Sequence, residues 1–429
     1  MMGSKYHIQH ITEPVQHGEG PFYNSIDNTL YYVDAFTARV LKYDFQNHKS
    51  ESYKFDSHNS TGVIIPIRGR CKEFVVGADR QLYKLSWPND KEPSFEKLKM
   101  IEEDQPKNQF NDGKADARGR LWIGTLTRNE DRSVSDFGGN VYMLESKNLQ
   151  TVKKKIPKTS ISNGLAWSKN GKELFFVDSA PKLIYSFEYD QMTGNIGKTS
   201  RAPLHLWGQP ALVESVSEGE DRFLKFYDGF LEIIVYHGVK PKPWITDEIR
   251  DRGLLLRDIH NMIKQGSNDI LNNVYKQPKK EHKKLIINTK RLYYDTVIGS
   301  ANNGTKAAWK IIGCQKVVFD MSEFPHLEGI PDGMTIDEND HLWVALFGGS
   351  AVINIDPKTS TLIEIINMPV SYITSVCFGG PKLDVLYATT SRLHLNESET
   401  QNKEPLAGSV FIIQNLKVKG LAANEVCID

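Results

Sequence analysis

Short runs of aromatic and β-branched residues recur along the chain, most of them passing through polar or glycine positions into a second such run. They are LYYVDAFTARVLKYD from residue 30, EFVVGADRQLYKLSW from 73, RLWIGTL from 120, ELFFVDSAPKLIYSFEYD from 173, HLWVALFGGSAVINID from 341 and VLYATTS from 385. Such residues fit pleated, half-buried surfaces, and a polar break between two runs signals an antiparallel hairpin. Hairpin units repeated at blade-like intervals predict an all-β fold, a six-bladed β-propeller. A β-sandwich also stacks hairpins, but so many similar units favour the propeller.

A second feature travels with the strands. Asn111-Asp112-Gly113 precedes RLWIGTL, Ser162-Asn163-Gly164 precedes ELFFVD, and Pro331-Asp332-Gly333 precedes HLWVAL. One Asx-Gly pair is an ordinary turn signal. Three at matching places of a repeat are different, because equivalent positions on successive blades converge on the central channel. Oxygen ligands from several blades then meet at one point, which suits a hard cation. A fourth stretch, HGEGPFY from residue 17, places Glu19 between two glycines just before the first blade.

Composition removes several other classes. Of 429 residues, 39% are hydrophobic and 10% aromatic, enough for a large core, and the formal net charge of zero gives no global basic surface for nucleic acid. The four cysteines, Cys71, Cys314, Cys377 and Cys427, form no CxxC pair, so neither a zinc ribbon nor a disulfide framework is expected. No run of about 18 apolar residues predicts a membrane span. The N-terminal MMGSKYHIQHITEPVQ lacks the apolar core of a signal peptide, so the expected location is cytoplasmic.

The segments GEGP, FNDGKADARGRLWIGT, ISNGLAWS, EGIPDGM and ITSVCFGG together resemble the SMP-30/gluconolactonase/luciferin-regenerating enzyme family over roughly residues 13 to 197 and 315 to 421. The resemblance implies a six-bladed propeller with a divalent cation near its channel. Carried over by motif, it implies Glu19, Asn163 and Asp332 as metal ligands and Asn111 as a substrate contact, with Asp112 nearby. It also implies hydrolysis of a small-molecule sugar lactone. Two alternatives come with it: a non-catalytic calcium-binding regulatory protein, and an enzyme of the luciferin-regenerating type acting on another small molecule. The family pattern carries a substrate-facing arginine before FNDGK, where this chain has Gln109; a neutral amide cannot supply that charged fork.

Two carboxylates and one amide oxygen suit Ca²⁺ foremost, with Mg²⁺, Mn²⁺ or Zn²⁺ as alternatives. The cation would polarise the lactone carbonyl and acidify water. Asp332 is the expected base, held at the channel by a turn formed by Pro331 and Gly333. Asn111 would orient sugar hydroxyls. His17 reads as a solvated loop histidine, Trp122, Trp167 and Trp343 as blade packing, and Ser375 and Cys377 as buried strand positions rather than nucleophiles.

Residues 198–314 break the repeat, so the expected organisation is propeller over 1–197, an inserted and largely helical segment over 198–314, and propeller again over 315–429. From Tyr236 to Lys310 the insert carries 15 Lys and Arg against 7 Asp and Glu, which marks it as basic. Residues 223–312 resemble the linker of non-LTR retrotransposons but carry no polymerase or nuclease motif. A fragment of that origin is a better reading than a nucleic-acid-binding arm.

Overall fold

The computed structural model describes residues 5–89, 91–145, 149–197 and 315–428. Their strands form six antiparallel sheets, as the hairpin repeat predicts. Blade 1 is built from Gly18–Asn24, Thr29–Asp34, Arg39–Asp44 and Lys49–Lys54. Blade 2 runs from Thr61–Pro66 to Ser94–Met100, blade 3 from Asn108–Ala115 to Thr151–Thr159, and blade 5 from Ile330–Ile336 to Thr361–Asn367. Blade 6 joins the two ends of the chain. Ile373–Gly379, Val385–Thr390 and Phe411–Gln414 take His7–His10 as their outermost strand, with Ile8 opposite Ile413. That pairing closes the ring and leaves only the short outer edges of the blades.

Burial falls from the axis outwards. The innermost strands of blades 2 and 4, Thr61–Pro66 and Ser162–Trp167, are buried at every residue, while the outermost strand of blade 1, Lys49–Lys54, is almost wholly exposed. The apolar residues pack between neighbouring blades. Val75 and Leu82 of blade 2 meet Ile123 and Leu144 of blade 3, and Phe175 and Val177 of blade 4 meet Val344 and Ile353 of blade 5. This explains why the second strands read as continuous apolar runs, since both of their faces are covered. Trp122 and Trp343 are part of the same packing, and each ring N–H donates to an aspartate of the preceding turn, Asp116 at 3.1 Å and Asp337 at 3.0 Å.

Blade 4 carries the interruption. Its first three strands are Ser162–Trp167, Glu173–Asp178 and Leu183–Asp190. The outer edge of Leu183–Asp190 pairs first with Asn195–Ile196 and then with Gln315–Asp320. Tyr189 faces Ile196, the Gly197 N–H donates to the Glu188 carbonyl at 2.9 Å, and Phe187 faces Gln315. The ladder therefore steps from residue 197 to residue 315 without skipping a partner. The expected helical character of 198–314, and the resemblance of 223–312, lie outside the described residues.

Candidate metal centre and active site

Every innermost strand carries one extra residue near its start. The ladder slips between Glu19 and Phe22, Thr61 and Val63, Phe110 and Gly113, Ser162 and Leu165, Pro331 and Met334, and Ile373 and Ser375. Each slip is a β-bulge, which bends a strand and re-aims its side chains. Asn111, Asp112, Asn163 and Asp332 all sit in such bulges, and Glu19 begins one. The expected turn at Pro331–Gly333 is thus a bulge within the strand Ile330–Ile336. Proline and glycine read as turn residues in sequence, but Pro331 here begins a ladder defect and Gly333 answers crowding. A Cβ at Gly333 would lie 2.1 Å from Ser375 Oγ, and one at Gly164 would lie 2.9 Å from the Asp332 carbonyl oxygen. The glycines beside the candidate ligands allow adjacent inner strands to approach around the channel.

The side chains converge as follows. Asn111 donates from Nδ2 to the Ser162 carbonyl at 2.9 Å and to Asn163 Oδ1 at 2.7 Å. Asn163 donates its own amide to Ser179 Oγ at 2.7 Å, which fixes its oxygen on the Asn111 side. Glu19 Oε2 accepts from the Gly20 N–H at 3.1 Å, and Asp112 Oδ1 accepts from the Gly113 N–H at 2.6 Å. Asp112 Oδ2 and Asp332 Oδ1 are buried without a hydrogen-bond partner.

The carboxylates feel one another. Burial first, and then the charges of Asp332 and Asp112, hold Glu19 well above the ordinary carboxylate range. Burial and Asp112 do the same to Asp332. Burial raises Asp112 too, against the opposing pull of Lys114 and the Gly113 N–H. Lys114 donates to the Met334 carbonyl, and burial pushes its own pKa down. Three desolvated carboxyls, of which only Asp112 feels the Lys114 ammonium, form a cluster short of positive charge.

A small cavity of about 20 Å³ at this end of the channel is lined by Glu19, Gln109, Asn111, Asp112, Asn163 and Arg128, among others. Asp332 does not line it. Among the described residues no three His, Cys, Asp or Glu side chains stand together as a metal cluster. A site here would combine carboxylates with the Asn163 amide. The donor set nevertheless fits a hard cation, because two buried carboxylate oxygens have no other partner.

His17 departs from expectation. Its Nδ1 is 2.9 Å from Ser391 Oγ, its Nε2 is 3.8 Å from Glu19 Oε1, and its ring stands edge-on to Phe36. Burial, then Arg128 and His394, push its pKa down to about 3, so it is neutral at physiological pH. The sequence shows a polar loop around His17 but not the bridge to Ser391 that covers it. Cys377 is buried as expected, and burial pushes its thiol up to about 12.

Sequence reasoning missed Arg128. The second strand of blade 4 ends opposite its bulge, with Asp178 facing Ser162. In blade 3 the ladder runs on past the bulge, through Gln109–Leu126 and Asn108–Thr127, and the Arg128 N–H then donates to the Lys107 carbonyl at 3.0 Å. The longer ladder delivers Arg128 to the cavity beside Gln109. The only sequence signal is the continuation of RLWIGTL by Thr127-Arg128.

The family model described as the SMP-30/gluconolactonase/LRE-like region matches residues 17–209 and 306–392, more than half of the chain. A regucalcin from Xenopus laevis is 24% identical over 413 residues, covering 96% of this chain and 95% of its own. A solved luciferin-regenerating enzyme is 25% identical, with a TM-score of 0.65 over 98% of this chain and 99% of its own. A regucalcin from Agrobacterium tumefaciens, described as a calcium-binding protein, shares the fold at 16% identity, with a TM-score of 0.63 over 99% of this chain and 98% of its own. Nothing in these comparisons supports a retrotransposon linker, and the family match pauses between residues 209 and 306. Among the described residues no helix is long and apolar enough to cross a membrane. The chain belongs to the SMP-30/gluconolactonase/LRE-like family.

Proposed function

We propose that this protein is a divalent-metal-dependent hydrolase of sugar-type lactones, with Glu19, Asn163 and Asp332 as metal ligands. The observation that carries the reading is the cluster of desolvated carboxyls held above their ordinary range, two of whose oxygens are buried without a partner. Such a cluster is costly until a cation neutralises it. A bound Ca²⁺, or Zn²⁺, Mg²⁺ or Mn²⁺, would supply Lewis acidity towards the lactone carbonyl and lower the pKa of water.

The chain's own groups have separate tasks. Asp332 takes the proton of the attacking water at its free Oδ1 and returns it to the ring oxygen as the ester C–O bond breaks. Asn111 spends both amide hydrogens on Ser162 and Asn163, so only its Oδ1 remains to accept from a substrate hydroxyl. Asn111 therefore positions Asn163 as well as substrate. Asp112 adds negative charge beneath the site, and Gln109 lines its wall.

A second reading is calcium binding without turnover. It is favoured by a cavity of about 20 Å³, the scale of a site for an ion or a water. The division into 1–197, 198–314 and 315–429 is likewise a proposal. It is supported by the unbroken ladder from Gly197 to Gln315.

The test is lactone hydrolysis by the full chain with each of the four metals in turn, beside Asp332→Ala. Metal-dependent turnover that falls by about 100-fold or more in the variant is expected, the loss of a general base. A folded, metal-loaded protein that turns over no lactone would sink the hydrolase reading and leave the calcium-binding one.

A further inference from the structure

Arg128 is the one arginine or lysine lining the small cavity among the described residues. Its guanidinium carbon stands 4.6 Å from the centre of the Phe36 ring, and its Nη1 donates to the Arg132 carbonyl at 3.0 Å. These contacts fix the plane of the fork without neutralising it. Its Nε is buried and has no hydrogen-bond partner, and no carboxylate among the described residues pairs with it. Arg132 adds a second positive charge nearby, and with burial it pushes Arg128 down to about 10, still protonated at neutral pH.

A buried, unbonded guanidinium N–H costs free energy unless something arrives to accept from it. A planar fork held against an aromatic ring matches a carboxylate or a phosphate. The floor of the site decides between them. The carboxyl groups of Glu19 and Asp112 line the same cavity, and a phosphate dianion would meet about twice the repulsion felt by a single carboxylate.

The geometry points to Arg128 as a specificity residue that binds a carboxylate carried by the substrate, so that the preferred lactones are those of hydroxy-dicarboxylic acids rather than neutral aldonolactones. This deepens the hydrolase reading and rests on it. Gln109 lies on the adjoining strand and can add a neutral N–H to the same carboxylate.

The experiment compares a neutral aldonolactone with the same ring bearing a carboxylate, using the metal-loaded full chain and its Arg128→Gln and Arg128→Lys variants. In Arg128→Gln, KM for the acidic lactone should rise about 10- to 100-fold, the worth of a charge-assisted pair, with kcat and the neutral lactone little changed. Arg128→Lys should restore only part of the loss, because the charge returns without the fork. A parallel calorimetric titration with the open-chain dicarboxylate separates this inference from the hydrolase reading. If no lactone is turned over but the dicarboxylate binds in an Arg128-dependent way, hydrolysis fails and the carboxylate subsite stands. If Arg128→Gln affects neutral and acidic ligands alike, or affects neither, the subsite is overturned.

Discussion

Asp332 is buried, bonded through the Gly333 N–H, and left with one free oxygen. It and Glu19 are both held above the ordinary carboxylate range, so the folded metal-free chain binds protons more tightly than the unfolded one. The sign follows: stability is highest below the unfolded carboxyl pKa and falls as pH rises from there through the raised folded values. Metal-free protein should therefore melt higher near pH 5 than near pH 8. Asp332→Asn should flatten that slope and stabilise the metal-free chain at pH 8, because the amide carries no charge to desolvate or to meet Asp112. The same variant should abolish the thermal shift produced by Ca²⁺. Melting curves across pH with chelator and with Ca²⁺ would check both; a metal-free Asp332→Asn that melts lower at pH 8 would contradict the account. At this scale the sequence was legible where motifs recur. Asp112, Asn163 and Asp332 stand out because three blades repeat the same Asx-Gly pair. Arg128 and the cover over His17 did not, because ladder length and long-range bridges leave no local pattern.

The innermost strand is the element that builds the site, and its bulge is the device. All six strands carry it, but only three show it as Asx-Gly; the others read Gly20-Pro21, Gly62 and Thr374 at the corresponding slip. A register slip is a relation between two strands, so one strand's sequence announces it only where glycine is needed for space. Gly333→Ala tests that need. Its Cβ would meet Ser375 Oγ at 2.1 Å and Ser375 Cβ at 2.5 Å, so the strands must part. A loss of about 1–3 kcal/mol in urea unfolding is expected, typical of overpacking, together with weaker Ca²⁺ binding. Adding Ser375→Gly should return much of both. If Gly333→Ala alone unfolds at the wild-type midpoint, the crowding argument is wrong. The hairpins themselves were plainly legible, because aromatic and β-branched runs with polar breaks allow few other structures.

Over the whole molecule, closure depends on residues from opposite ends of the sequence. His7–His10 completes blade 6, and no local feature of HIQH marks it as a propeller strand. The interruption in blade 4 is the complementary case, since residues far apart in sequence behave as neighbours. A chain in which Gly197 is joined directly to Gln315 should fold, bind Ca²⁺ as the full chain does, and unfold at a midpoint no lower, because closing a long connection costs entropy that the fusion avoids. Circular dichroism and calcium titration of that fusion would decide; a fusion that fails to fold would mean the intervening residues support the propeller. The ladder across the gap has a practical corollary. A strand that resumes in register after more than a hundred intervening positions is a natural graft point. A reporter or binding domain with closely spaced termini could be housed between residues 197 and 315, three strands out from the channel, with the chemistry at the axis left as it was.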